Sequence, residues 1–170
     1  MDYEGRIQAS GYAEGFECIG VARLEGYEFK INKLAMNGEH VYANIVPSPY
    51  GYVYRVLYKI TDRVEEEYLN IREGYPRHYG KEMVTVNVED KEYVDVLVYT
   101  AQPSYTCSGS RPTTQKYGDE LKQGAVVLPE PYRTVVFLHA IEQCACARNQ
   151  GPGNATNRTT REVLFNGLEA

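Results

Sequence analysis

The chain has 170 residues, 43% of them apolar, and a formal net charge of −5 at pH 7. This length suits one domain with a sizeable core, and the acidic balance argues against nucleic acid or an anionic membrane as the main partner. No apolar run approaches the roughly 18 residues of a membrane-spanning helix, and no signal peptide is visible at Met1–Glu4. We therefore expect a cytoplasmic protein with no membrane partner.

Alternating apolar residues predict several strands in the first 60 residues, after a loop or short helix over residues 1–17. The predicted strands are Phe16–Leu24, Tyr27–Ile31, His40–Val46 and Tyr52–Ile60. A turn is expected at Glu25-Gly26, a hairpin turn at Asn37-Gly38, and a break at Pro47-Ser48-Pro49.

A short helix is predicted to follow, with Asp62 as its N-cap and with Gly74 and Pro76 ending it. Its apolar residues share one face at three- and four-residue spacing: Val64, Tyr68 and Ile71. The helix leads from the fourth predicted strand to the next strand pair.

Glu73 is the last carboxylate of this helix, and tyrosines flank it at positions 68, 75 and 79. A carboxylate held against aromatic rings loses hydration, so we expect the pKa of Glu73 to rise toward neutrality, as a general acid/base requires. The alternative is an exposed glutamate at a helix C-terminus, where the helix dipole disfavours it.

The C-terminal half predicts one more strand pair and two helices. The strands are Glu82–Val88 and Tyr93–Thr100, joined by a polar turn. Residues 102–114 predict a long exposed loop, and helices are expected at Gln115–Gly124 and from Pro131 to about Cys144.

The predicted fold class is α+β: a twisted, barrel-like and mostly antiparallel sheet of five to six strands with short helices. We assign residues 1–145 to a single domain and residues 146–170 to a polar C-terminal tail. Within that tail, residues 148–162 predict disorder and Val163–Leu168 a last turn.

The cysteines and histidines do not indicate a metal centre. The cysteines are Cys18, Cys107, Cys144 and Cys146, and the single residue between the last two suits neither a zinc pair nor a redox C-x-x-C motif. The histidines His40, His78 and His139 are scattered in the sequence. We expect reduced thiols and no metal; a thiol-handling domain that uses the Cys144–Cys146 pair is the alternative.

Tyrosine is unusually frequent, with 16 residues against four phenylalanines and no tryptophan. A tyrosine has ring area together with a hydroxyl that needs a partner, which suits a cleft for a polar small molecule. A sheet surface also favours tyrosine, so both interpretations stay open.

Several fragments in fixed order resemble the γ-glutamylcyclotransferase family, which includes AIG2-like members, from about residue 18 to residue 138. The fragments are Ile19–Phe29, Ala43–Pro47, Val53–Ile60, Glu73–Pro76, Val84–Val86, Tyr99, Tyr117 and Gly124-Ala125. Members convert a γ-glutamyl amide or amine to 5-oxoproline and a free amine, because the substrate's α-amine attacks its own γ-carbonyl.

The resemblance implies roles for four residues. Glu73 would move the proton as general acid/base, and Tyr79, Tyr99 and Tyr117 would orient the glutamyl group. No cofactor is implied; the partner would be a γ-glutamyl small molecule such as a glutathione derivative, and a homodimer stays open.

One departure affects this interpretation. The family's Tyr-Gly-Ser-Asn segment, whose backbone N–H groups stabilise the developing oxyanion, is absent from the sequence. Met1–Ile7 resembles the continuation of that segment, so we expect a chain that is N-terminally truncated before it. Such a chain would lack the family's first strand and be poorly active unless another segment fills the gap. The alternative function is a non-catalytic small-molecule binder on the same fold.

Overall fold

The computed structural model describes residues 3–109 and 111–148. Its strands are β1 (Phe16–Leu34), β2 (Val41–Ile60), β3 (Tyr79–Val88) and β4 (Lys91–Ala101). They form an antiparallel sheet in the order β2-β1-β3-β4, with short helices around it. The predicted α+β class is confirmed, with four strands in the described residues because β1 and β2 are longer than the sequence predicted.

The helices are short. Helix α1 spans Tyr3–Ser10, and α3 spans Gln115–Gly124 as predicted. Helix α2 consists of the consecutive stretches Asp62–Val64, Glu65–Leu69 and Asn70–Glu73, of which the middle one has wider π-helical turns. Helix α4 consists of Arg133–Leu138, also π-helical, and His139–Arg148. Single 3₁₀ turns occur at Ala13–Gly15, Pro103–Tyr105 and Ala125–Val127.

Strands β1 and β2 form one long hairpin around the predicted Asn37-Gly38 turn, where Gly38 has a φ of 70°. Both strands continue through the predicted turn at Glu25-Gly26 and the predicted break at residues 47–49, although the pairing between β1 and β2 is interrupted at these positions. The register shifts between Glu25, opposite Tyr52, and Tyr27, opposite Pro47, so both interruptions are absorbed in one irregularity. Because β2 is an edge strand, its prolines remove no hydrogen bond from the sheet interior.

Strands β3 and β4 form the second hairpin, which confirms the predicted strand pair. Backbone pairing between the two hairpins places Ala22 and Arg23 of β1 opposite Val88 and Asn87 of β3. A side chain adds a further link, since the Ala101 N–H of β4 donates to Asn44 Oδ1 of β2. Strands β2 and β4 are the two edges of the sheet.

Helix α2 differs from the prediction in its cap and its buried face. Thr61, not Asp62, is the N-cap, and its side chain accepts a hydrogen bond from the Val64 N–H. The π-helical turns rotate the last turn of α2, so Ile71 is 63% exposed while Glu73 is buried. The predicted apolar face is thus wrong beyond Tyr68.

The core lies between the sheet and helices α3 and α4. Buried residues of both layers form it: Leu24, Phe29, Ile45, Val53, Leu57, Leu121, Phe137 and Ile141. The predicted exposed loop at 102–114 is wrong in part, because Thr113 is fully buried and Thr106 bridges to β1.

The predicted tail lies almost entirely outside the described residues. The predictions for residues 149–162 and for Val163–Leu168 fall in that region. Among the described residues, every helix is too short or too polar to cross a membrane.

Candidate functional site

Glu73 lies inside the protein at the C-terminal end of α2, with only 2% of its surface exposed. Its Oε1 atom is 4.0 Å from Nε of Arg72, which is also buried. Gly74 ends the helix in the left-handed conformation, with a φ of 63°. A Cβ at this position would be 2.7 Å from Cδ2 of His78, so both the conformation and the close packing favour glycine. The alternative of an exposed glutamate at a helix end is therefore wrong.

Tyr79 and Tyr117 meet at the same residue of β2. The Tyr79 hydroxyl donates to the Ala43 carbonyl oxygen at 3.1 Å, and the Ala43 N–H donates to the Tyr117 hydroxyl at 3.1 Å. Both tyrosines are buried. Their hydroxyls thus satisfy both backbone groups of Ala43, which fixes this part of the edge strand.

Tyr99 lies beneath α2 and is almost completely buried. Its hydroxyl donates to Asn70 Oδ1 at 2.9 Å. Burial raises the pKa of Tyr99 above its usual range, and the negative charges of Glu65 and Glu73 raise it further. Tyr99 and Glu73 therefore interact electrostatically, although each also contacts other groups.

Lys33 is a residue of this region that sequence reasoning missed. It lies near the end of β1 and is only 7% exposed, with its ammonium nitrogen 5.3 Å from the Tyr79 ring centre and 5.7 Å from that of Tyr42. Burial lowers the pKa of Lys33, and attraction to Glu73 opposes this shift. The available signal was its two-residue spacing from Phe29 and Ile31, which continues the inward face of the strand.

His78 completes a polar cluster, which we define as Lys33, Glu73, His78 and Tyr79. Burial lowers the pKa of His78, and the positive charges of Lys33 and Arg77 lower it further. Its Nδ1 atom is buried and has no hydrogen-bond partner among the described residues. The cluster thus combines a buried carboxylate with a buried ammonium and a histidine that favours its neutral form.

The family relationship comes from the sequence. A profile described as "Gamma-glutamyl cyclotransferase, AIG2-like" matches residues 4–119, more than half of the chain. The chain belongs to this family. The resemblance inferred from the sequence is thereby confirmed. A search of curated protein sequences found no match.

Solved structures show the same fold. YkqA from Bacillus subtilis matches with a TM-score of 0.65 and 24% identity, over 89% of this chain and 52% of that one. The chain thus spans about half the length of YkqA. A structure named gamma-glutamyl cyclotransferase matches with a TM-score of 0.63 and 19% identity, over 92% and 86%. The Homo sapiens protein loc79017 matches with a TM-score of 0.61 and 19% identity, over 91% and 86%. At these identities the likeness shows the shared cyclotransferase fold.

One cavity is lined by residues of the sheet and of α2, and Glu73 is not among its lining residues. It has a volume of about 370 Å³ and lies between edge strands β2 and β4, with Glu65 and Leu69 of α2 along one side. Its lining is mainly apolar, and Tyr99 links it to the region beneath α2. We call it the apolar cavity.

Among the described residues, no group of three or more histidine, cysteine, aspartate or glutamate side chains could hold a metal ion. The described cysteines Cys18, Cys107 and Cys144 are reduced thiols, whereas the side chain of Cys146 lies outside the description. The roles assigned to Glu73, Tyr79, Tyr99 and Tyr117 stay predictions.

Proposed function

We propose that the protein is a γ-glutamyl cyclotransferase that converts a γ-glutamyl amide or amine to 5-oxoproline and a free amine. Membership of the cyclotransferase family supports this reaction class. The observation that carries the proposal is the burial of Glu73 at the end of α2, in a chain of this family. A buried carboxylate is desolvated, which is the environment that an acid/base group near neutral pH requires.

The reaction needs little beyond correct positioning and one proton carrier. The substrate's α-nitrogen forms a bond to its γ-carbonyl carbon, and the bond between that carbon and the leaving nitrogen breaks. Both reacting atoms belong to one molecule, so a fixed conformation supplies an effective molarity of about 10⁵ M or more. The atoms of the substrate are divided between 5-oxoproline and the released amine.

Glu73 is the proton carrier in this proposal. Its carboxylate accepts a proton from the substrate's α-ammonium group, which frees the nitrogen lone pair for attack. The protonated carboxyl group then returns the proton to the leaving nitrogen, so the enzyme ends in its starting state. Tyr79, Tyr99 and Tyr117, all buried, orient the glutamyl group through their rings and hydroxyls.

The test is product analysis with a γ-glutamyl amino acid and a γ-glutamyl amine as substrates. The purified chain should release 5-oxoproline and free amine in equal amounts, detected by mass spectrometry. Release of glutamate instead would indicate hydrolysis and contradict the proposal. Binding of 5-oxoproline without turnover would favour a non-catalytic binder on the same fold.

A further inference from the structure

Lys33 is a buried cation whose local partners do not neutralise it. Its ammonium group faces the rings of Tyr42 and Tyr79. Among the described residues, none accepts a hydrogen bond from it or forms an ion pair with it, although Glu73 attracts it from a longer distance. A buried ammonium group without a paired anion is costly, so this position favours an anionic ligand.

The charges around the polar cluster support the same inference. Arg72 and Lys33 are both buried and interact with one buried carboxylate, that of Glu73. The pKa of the neighbouring His78 is lowered by burial, so its neutral form is favoured. Lys33 itself has no ion pair or hydrogen bond among the described residues, and a carboxylate of a ligand would supply one.

We propose that Lys33 binds the α-carboxylate of the γ-glutamyl substrate and makes a free α-carboxylate a requirement for tight binding. This inference rests on the proposed function. The α-carboxylate and the α-ammonium group share one carbon atom of the substrate. Lys33 and Glu73 present opposite charges within one cluster, so Lys33 holds the carboxylate while Glu73 handles the ammonium proton. Lys33 is thus a specificity-determining residue.

The rings that contact Lys33 fit this role. Tyr79 and Tyr42 present their faces to the ammonium group, which restricts it by cation–π attraction. Ring faces stabilise a cation but accept no conventional hydrogen bond from it. The N–H groups of the ammonium therefore remain available to donate hydrogen bonds to an oxygen atom of a ligand.

The experiment compares 5-oxoproline with 5-oxoprolinamide, which has the same ring but no carboxylate, by titration calorimetry. The wild-type protein should bind 5-oxoproline about 10- to 100-fold more tightly, the range of a hydrogen bond to a charged group. Lys33→Met should remove this preference. Lys30→Met is the matched control, because Lys30 lies on the same strand with an exposed side chain paired to Glu28, and it should keep the preference.

Equal affinity of the wild-type protein for both ligands, or no binding of either, would overturn the inference. A retained preference in folded Lys33→Met, with folding checked by circular dichroism, would overturn it as well. Should Lys33→Met fail to fold, the two-ligand comparison on the wild-type protein still decides.

Steady-state kinetics distinguish a failure of this inference from a failure of the proposed function. In an active enzyme, Lys33→Met should raise KM for a γ-glutamyl substrate far more than for its α-amide counterpart, which a merely structural lysine would not do. An active enzyme without carboxylate preference would keep the proposed function and contradict this inference. A protein with Lys33-dependent 5-oxoproline binding but no turnover would contradict only the proposed function.

Discussion

The polar cluster and the apolar cavity both include residues of α2, and they differ in chemistry. The cluster brings together the buried charges of Lys33 and Glu73, whereas the apolar cavity offers about 370 Å³ of space with mainly apolar walls. Catalysis of a proton transfer needs titratable groups in a desolvated setting, and the cluster holds two charged side chains, Lys33 and Glu73, that are more than nine-tenths buried. We therefore place the reaction in the polar cluster and not in the apolar cavity.

Helix α2 connects the two regions. Its middle turns contribute Glu65 and Leu69 to the apolar cavity, and its last residue is Glu73. Changes to the helix should affect both regions, whereas changes within one region should leave the other intact.

The largest effect is expected from Glu73→Gln, which keeps the side-chain shape and removes the proton carrier. The turnover number should fall by about 100-fold or more, a typical general-base contribution, while the protein stays folded. The measurement is the rate of 5-oxoproline release together with the melting temperature. Glu66→Gln is the matched control, because Glu66 is an exposed glutamate of the same helix and its loss should leave the rate unchanged. An active Glu73→Gln enzyme would place the chemistry elsewhere.

Tyr117→Phe tests the hydrogen bond between the Tyr117 hydroxyl and the backbone of Ala43. The substitution leaves the buried Ala43 N–H without its hydroxyl acceptor, so stability should fall by about 1–3 kcal/mol. We also expect a higher KM, because Tyr117 is assigned to the glutamyl group. Denaturant unfolding and steady-state kinetics measure the two effects. Tyr50→Phe, at a fully exposed position, should change neither the free energy of unfolding nor KM. Equal free energies of unfolding for Tyr117→Phe and Tyr50→Phe would contradict a stabilising role of the contact between Tyr117 and Ala43.

Thr61→Ala should loosen α2 from its N-terminal end. Losing the hydrogen bond from the Val64 N–H should cost about 1 kcal/mol of stability. Asp62→Ala should cost less, because Thr61 is the residue that caps the helix. Parallel denaturant titrations of the two variants give the comparison. A larger loss of stability in Asp62→Ala than in Thr61→Ala would indicate that Asp62 is the N-cap, as the sequence predicted.

The smallest effect is expected from Val96→Phe, which places a larger apolar side chain beside the apolar cavity. With the substrate in the polar cluster, kcat and KM should stay close to the wild-type values. The readout is steady-state kinetics on the same γ-glutamyl substrate. A strong rise in KM would show that the substrate occupies the apolar cavity.

Local sequence signals predicted the elements that depend on few residues. The Asn37-Gly38 turn, the β3–β4 hairpin and helix α3 follow from turn chemistry and alternation. The end of α2 at Gly74 also follows, since glycine takes the left-handed conformation at low cost.

Other features could not be predicted locally because they depend on contacts distant in the sequence. Prolines 47 and 49 are accepted within β2 because that strand lies at the sheet edge, a property of the whole topology. The burial of Lys33 depends on Tyr42 and Tyr79, and the contact of Tyr117 with Ala43 joins residues 74 positions apart. The sequence thus indicated Glu73 and the tyrosines, but not the lysine beside them.

The most direct test is a crystal structure of the protein with bound 5-oxoproline. We predict that the ligand lies in the polar cluster, with its carboxylate on the ammonium group of Lys33 and its ring nitrogen facing Glu73. A ligand bound in the apolar cavity between β2 and β4, with no contact to Glu73, would contradict the account.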